Sequence, residues 1–495
     1  MKTYQKLLLI FSITLGFLVR LYKINSPVAD WHSHRQADTA SVTKNLTYKT
    51  GTFFIPTYHD ISNIQSNLDN PNGYRMVELP IYNIICANLH QILKSISPQF
   101  TIEISSRLVS ILFSILTSYI LFLFVKKYSS QFWPAFLSLL VFLFLPFNIY
   151  YSRTILPEPT AIFFMLFSLY LFEKNLIISG LALSIAILIK PFTIIVAFPI
   201  LLVLGLKKYK SKLNKKTIFH FLVFTLISLI PFLLWQKWIQ NFPQGIPYNK
   251  WLFIKQRKFL SENNWKPNPE SGFVESLIPF KPYWFRWLFT ERLAKLILGT
   301  FGIIPFFLGL IYKKRHIQKI SFAALFGICL YFIIIAGGNI QHDYYQFLIS
   351  PLISLIVGLG LFYIANYTFK NKLVAISSAL LLFTISIFTS HYQTKEYYKI
   401  NNQVILEAGQ KANQTLPQDA LVIAPYTGDT AFLYQTNRSG WPTEIYDVKN
   451  ITTQHPHNPV YLVSVNFDDY TNQMMKLYPT IYQTDKFIIL EIYSP

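Results

Sequence analysis

Stretches of Leu, Ile, Phe and Val of about bilayer-crossing length recur from residue 6 to residue 390, separated by short polar connectors. Few soluble folds can bury so many apolar runs, so the chain has to be read first as a membrane protein. Composition agrees: 52% of the 495 residues are hydrophobic and the mean hydropathy is +0.34. The last hundred or so residues lack such a run. The expected fold is therefore a polytopic α-helical membrane protein with about 11 spans over residues 1–391, followed by a small α/β domain at 392–495. In the latter, 398–413 is helix-like and the β-rich runs 421–425, 460–465 and 487–493 are divided by polar turns.

A net charge of +21 invites a nucleic-acid reading. The cations instead sit in short connectors: Lys126-Lys127, Lys207 to Lys216, Lys313-Lys314-Arg315 and Lys370 to Lys372. That pattern marks cytoplasmic loops and no nucleic-acid partner. The two cysteines, Cys86 and Cys329, imply neither a disulfide framework nor a metal pattern. The first apolar segment is followed by Arg20, Tyr22 and Lys23, not by a small-residue cleavage pattern, so it reads as an anchor.

With the N-terminus inside, spans at 6–23, 104–125, 133–150, 156–172, 176–189, 191–206 and 217–236, an eighth ending at Lys313–Arg315, a hairpin of two ending at Lys370, and a last at 373–390 place every strongly basic connector inside. The first outer loop is then 24–103 and a long outer loop is 237–291; the C-terminal domain lies outside. The count requires that 79–96, with Asn83, Asn88, His90, Gln91 and Lys94, lie at the interface without crossing. The loop 237–291 is rich in aromatic and basic residues, among them Trp251, Arg257, Lys258, Trp265, Tyr283, Trp284, Arg286 and Trp287. These suit the membrane interface, and a subset would suit a closing lid.

On this topology the outer side carries Asp38, Glu78 and Glu158, three arginines (Arg35, Arg75, Arg153), Lys190-Pro191, and Gly337 to Tyr345. Ionisable groups at the hydrocarbon boundary usually face a protein-lined cavity. Lys190 departs from the positive-inside trend; its compact ammonium suits a lipid phosphate, and a snorkelling lysine is the plainer alternative. Asp38 opens a helix-like stretch and has N-capping as its plain explanation; Glu158 and Glu78 have the helix dipole. Convergence of three acids and four cations on one side favours a site. The His32/His34 pair is thin as a zinc site, and His342-Asp343 is thin as a dyad. A carboxylate-bound divalent cation stays open as a cofactor.

These residues resemble the GT-C superfamily, specifically glycosyltransferase family 39-like enzymes such as protein O-mannosyltransferases and the lipid A aminoarabinose transferase. The resemblance runs over roughly residues 1–390 and lies in the order and side of the motifs: RQADTA around Asp38, Glu78-Leu79-Pro80-Ile81-Tyr82, Arg153 to Glu158, Lys190-Pro191, and His342-Asp343-Tyr344-Tyr345 ahead of Pro351. It implies transfer of a hexosyl or pentosyl group from a polyprenyl-phosphate donor to a lipid, glycan or protein acceptor, on the extracytoplasmic face of the plasma (inner) membrane. It implies Asp38 as the catalytic carboxylate, with Glu158 and Glu78 as further candidates. It implies His34, Arg35, Arg75, Arg153, Lys190, His342, Asp343, Tyr344 and Tyr345 as substrate-binding candidates, with Lys190 and Tyr345 at the lipid phosphate. Three departures leave acceptor and metal open: Thr39 follows Asp38 where the family often has Glu, Ile81 replaces a proline, and Glu158 stands where Asp is common. A secondary transporter or flippase is the competing class. It would place its charges near the midplane of repeated halves, and no repeat is seen. A GT-C-like glycan ligase would share the donor.

Overall fold

A computed structural model describes residues 1–48, 52–209, 214–253, 284 and 286–493. Positions 210–213 of the basic connector, and Arg257, Lys258, Trp265 and Tyr283 of the expected outer loop, lie outside the described residues.

In chain order the helices are α1 (Thr3–Arg20), α2 (Ser33–Tyr48), α3 (Ile81–Ile96), α4 (Ile102–Ser129), α5 (Phe132–Phe144), α6 (Pro146–Tyr151), α7 (Glu158–Leu171), α8 (Leu176–Ile189), α9 (Thr193–Lys208) and α10 (Lys215–Ile239). There follow α11 (Arg286–Ile297, π-wound), α12 (Ile303–Leu310), α13 (Arg315–Ile334), α14 (Ala336–Gln341), α15 (Ser350–Tyr363) and α16 (Lys372–Thr394). The C-terminal segment alternates α17 (Val404–Thr415), β1 (Leu421–Ile423), α18 (Thr430–Gln435), β2 (Ser439–Trp441), α19 (Val448–Gln454), β3 (Val460–Ser464), α20 (Asp469–Leu477), β4 (Thr480–Gln483) and β5 (Ile488–Tyr493). Among the described residues, six helical segments are long and apolar enough to cross a membrane, and α5, α7 and α8 are shorter apolar helices. The chain is a multi-pass membrane protein.

The chain divides into two compact units. One comprises Met1–Tyr22, Ser110–Trp235 and Asn249–Glu396; the other comprises Lys23–Val109, Gln236–Tyr248 and Tyr397–Pro495. The first outer loop, assigned from sequence to the membrane domain, thus shares a unit with the C-terminal segment.

Within the first unit, small residues let helix backbones approach. At Gly360 a Cβ would run into the Pro305 backbone of α12, and at Gly358 into Ser138 of α5. Helices in lipid associate through such close contacts because apolar burial alone does not distinguish a helix from a lipid tail. The span expected at 133–150 is broken at Pro146, which lacks the N–H that would bond the Phe142 carbonyl. Fully buried Arg20 donates to the carbonyls of Leu143 (3.0 Å) and Phe142 (3.4 Å), and Asn148 also donates to Phe142 (3.3 Å). The connectors expected inside come together. Glu173 pairs with Lys127 (2.8 Å) and Lys207 (3.0 Å), and Lys314 donates to the Ser129 carbonyl (2.5 Å).

In the second unit a five-stranded sheet has the order β2-β1-β3-β5-β4, parallel across β2-β1-β3 and antiparallel across β3-β5-β4. Alternate residues face opposite layers, as the two-residue strand period requires. Val422, Val463 and Ile489 pack with Ala408 and Ala412 of α17, whereas Ile423, Leu462 and Ile488 pack with Ile451 and Met474 of α19 and α20. The first outer loop extends the sheet edge: Gly440 of β2 donates to the His59 carbonyl and accepts from the Ile61 amide, both at 2.9 Å. Helix α3 is 16 residues long; Asn83 and His90 are spent on neighbours, while Asn88 and Gln91 are exposed. Asn83 donates to the Thr39 carbonyl (2.8 Å) and the Thr43 hydroxyl (3.0 Å), and His90 meets the Tyr48 hydroxyl (2.8 Å).

Candidate functional site

The expected site residues fall into two groups, one in each unit, and most of the acids sit against a cation. In the second unit, Asp38 projects from α2 and is almost fully buried (4% exposed). Its Oδ2 lies 2.9 Å from an Arg75 guanidinium nitrogen, and its Oδ1 accepts the Thr430 hydroxyl at 2.7 Å. These use two of about four acceptor positions on the carboxylate. Burial pushes the Asp38 pKa upward, but Arg75, His59, the Thr430 hydroxyl and Arg35 together outweigh it and hold the carboxyl below its usual value. Asp38 is thus an ionised carboxylate in a largely dry setting. Arg75 also lies over the Tyr58 ring (5.0 Å to its centroid) and donates to the Gln65 side chain (3.1 Å). Arg35, one turn before Asp38, forms a short ion pair with Glu78. Burial, reinforced by His32, lowers the His34 pKa to about 4, and burial likewise lowers that of His59 to about 4.

In the first unit, Glu158 opens α7 and the Lys190 ammonium lies 2.6 Å from its Oε1, both nearly inaccessible. Lys190 is where α8 ends: its amide closes the last turn onto Ala186, and Pro191 lacks the N–H to continue the ladder. The ammonium also lies 5.1 Å from the centroid of Tyr345 and 5.9 Å from that of Tyr344. Those two rings stack on each other at 4.6 Å, and His342 stacks on Tyr344 at 5.5 Å. Tyr151 makes a short hydrogen bond to Asp343, and Arg292 of α11 reaches the same carboxylate at 3.5 Å. Buried Arg153 lies over Tyr150 at 5.4 Å.

Within the first unit the structure thus brings together Glu158, Lys190, His342, Asp343, Tyr344 and Tyr345. Within the second it joins Asp38 to Arg75 and Arg35 to Glu78. Sequence reasoning missed Thr430, His59, Tyr151 and Arg292. Arg292 carried a recognisable signal, a cation ahead of an apolar segment; the other three carried none. The chemistry available is that of an ionised buried carboxylate on one hand and an aromatic-lined ammonium on the other.

Residues 93–235 match the family model described as dolichyl-phosphate-mannose-protein mannosyltransferase. No curated protein sequence matches the chain. Among solved structures, ArnT from Cupriavidus metallidurans in the apo state superposes with a TM-score of 0.63 at 10% identity, covering 97% of each chain. The same protein bound to undecaprenyl phosphate gives 0.62 at 11% identity, covering 99% of this chain and 98% of that one. The fold is that of ArnT. The arabinofuranosyltransferase AftD from Mycobacteria also matches (TM-score 0.57, 11% identity), with 98% of this chain covering 40% of that larger one. The likeness in fold thus runs over nearly the whole chain, while the family-model match covers residues 93–235, from α3 to α10.

Proposed function

We propose that the protein transfers a sugar from a polyprenyl-phosphate donor to an acceptor hydroxyl on the extracytoplasmic face of the membrane, with Asp38 as the general base. The observation that carries this reading is the buried, ionised Asp38 carboxylate in a GT-C fold. The match to ArnT bound to undecaprenyl phosphate supports a polyprenyl donor, and the basic connectors support the sidedness.

The acceptor oxygen attacks the anomeric carbon as its proton passes to Asp38. The bond from that carbon to the phosphate oxygen breaks, and the polyprenyl phosphate departs with the bonding pair. Arg75 and Thr430 keep Asp38 deprotonated before the step. Lys190 serves the donor phosphate, where negative charge grows in the transition state; Glu158 aims the ammonium, and Tyr344 and Tyr345 wall it. Arg35 and Glu78 hold α2 to the loop ahead of α3. In this assignment Glu158 and Glu78 act through their cations rather than on the acceptor.

The test is incubation of the purified full-length protein with radiolabelled polyprenyl-phosphate sugars and envelope extract. Appearance of label in an acceptor supports the reading. No transfer from any of a hexose and pentose donor panel, with transport of a solute in the same vesicles, would replace it with the transporter reading.

A further inference from the structure

The C-terminal segment touches the first outer loop at one residue in three ways. Thr430 is the first residue of α18, behind the Asp429 cap, whose carboxylate accepts from the Ala431 amide at 2.7 Å. The Thr430 hydroxyl reaches Asp38 Oδ1 at 2.7 Å and the His34 carbonyl at 3.3 Å, and its own carbonyl lies 3.1 Å from His59 Nε2. A hydroxyl has one proton to give, and the shorter contact to the charged acceptor is the stronger. Just after α18, β2 carries residues 59–61 on its edge. So α18 is held in register with the loop that bears Arg75.

Arg75 alone would fix one oxygen of Asp38 and leave the carboxylate plane free to turn about its last side-chain bond. A second anchor on the other oxygen removes that freedom. Threonine suits the task because its β-branch restricts χ1. We propose that Thr430 is a positioning residue for the Asp38 carboxylate, so that the C-terminal α/β segment completes the base. The proposal rests on the reading of Asp38 as the base. The ionisable groups facing Asp38 are Arg35 and His34 from α2, Tyr58, His59, Asp60 and Arg75 from the loop after it, and Asp429 from α18. Thr430→Val exchanges the hydroxyl for a methyl of similar size, so the contacts to Asp38 and to the His34 carbonyl are lost together. The backbone carbonyl that meets His59 remains, so His59 keeps its partner.

The test uses the full-length protein in nanodiscs and the infrared difference spectrum of a pH titration. The carboxylate band lost in Asp38→Asn is that of Asp38. In Thr430→Val that band should titrate at higher pH than in wild type, because a hydrogen bond to the charged form is gone. Thr430→Ser, which keeps the hydroxyl, should stay near wild type. Turnover of the polyprenyl-phosphate sugar should fall about tenfold or more in Thr430→Val, the scale of a hydrogen bond to a charged group, with the acidic limb of kcat/KM moved the same way and donor KM unchanged. A merely structural threonine would lower the melting temperature of both variants and leave the titration where it was. An Asp38 titration identical in wild type and Thr430→Val, in protein that folds, overturns the proposal. Transfer that survives Asp38→Asn refutes the base role instead and leaves the titration result standing.

Discussion

At the scale of single residues, the account turns on which acid meets which cation. The Lys190–Glu158 pair shows the difficulty of testing this by deletion. Lys190→Met leaves a buried carboxylate unpaired, which costs about 3–5 kcal/mol of stability, so lost activity alone says little. In Lys190→Met/Glu158→Gln the stranded charge is gone and the melting temperature should recover toward wild type. Donor binding should stay weakened by about ten- to a hundredfold, the worth of a charge-assisted contact. Recovery of both in the double variant would remove Lys190 from the phosphate. The pH dependence follows from the same pairs. Asp38 is held below its ordinary value, and burial holds His34 and His59 near 4. Each of these groups is already in its working form above about pH 5, so the acidic limb of kcat/KM should lie well below the ordinary histidine value of 6.5. A limb centred there would mean that some other group supplies the base. Asp38, Glu158 and Lys190 stand out in the sequence as ionisable groups in local, ordered motifs, and the structure sets each against an opposite charge. Thr430, 392 positions from Asp38, does not stand out: nothing in D-T-A-F announces a distant carboxylate.

At the scale of elements, helix breaks decide where functional side chains project. The apolar runs announce the spans well, since hydropathy is a property of local sequence. Their interruptions were read less well. The segment 133–150 was expected as one helix, yet Pro146 divides it and Arg20 answers the exposed carbonyls. The segment before Lys313 divides into α11 and α12, with Gly299 at φ +55° between them. Those satisfactions and close approaches depend on which helices meet, which is long-range information. The α12–α15 contact gives a direct test. A side chain at Gly360 would enter the Pro305 backbone, so Gly360→Leu should lower the melting temperature sharply, with overpacking alone costing about 1–3 kcal/mol. Leu359→Ala, a cavity instead of a clash at an adjacent buried position, should cost about 2–5 kcal/mol and preserve the fold. An unchanged melting temperature in Gly360→Leu would mean the α12–α15 packing is not as described.

At the scale of the whole molecule, basic connectors and apolar spans are both written locally, and together they set the expected sidedness. The Lys127–Glu173–Lys207 cluster and the Lys314–Ser129 contact bring together four connectors that the sequence reading placed on one side. After replacement of Cys86 and Cys329, single cysteines at the exposed positions Asp69 and Asn437 should label from outside the cell, and one at exposed His316 should label only after permeabilisation. A cytoplasmic Asn437 would reverse the sidedness. The strands of the C-terminal segment were legible as β-rich runs; its grip on the first outer loop through β2 and α18 was not, since sheet-edge pairing across hundreds of residues leaves no local mark. What the molecule does depends finally on Asp38. The most direct measurement is sugar transfer from a radiolabelled polyprenyl-phosphate donor by purified wild type and Asp38→Asn side by side, each confirmed folded by its melting temperature. The account predicts label in acceptor and released polyprenyl phosphate with wild type, and loss of about a hundredfold or more with Asp38→Asn, in line with general-base contributions of 10²–10⁴; transfer within a few-fold of wild type in that variant would contradict it.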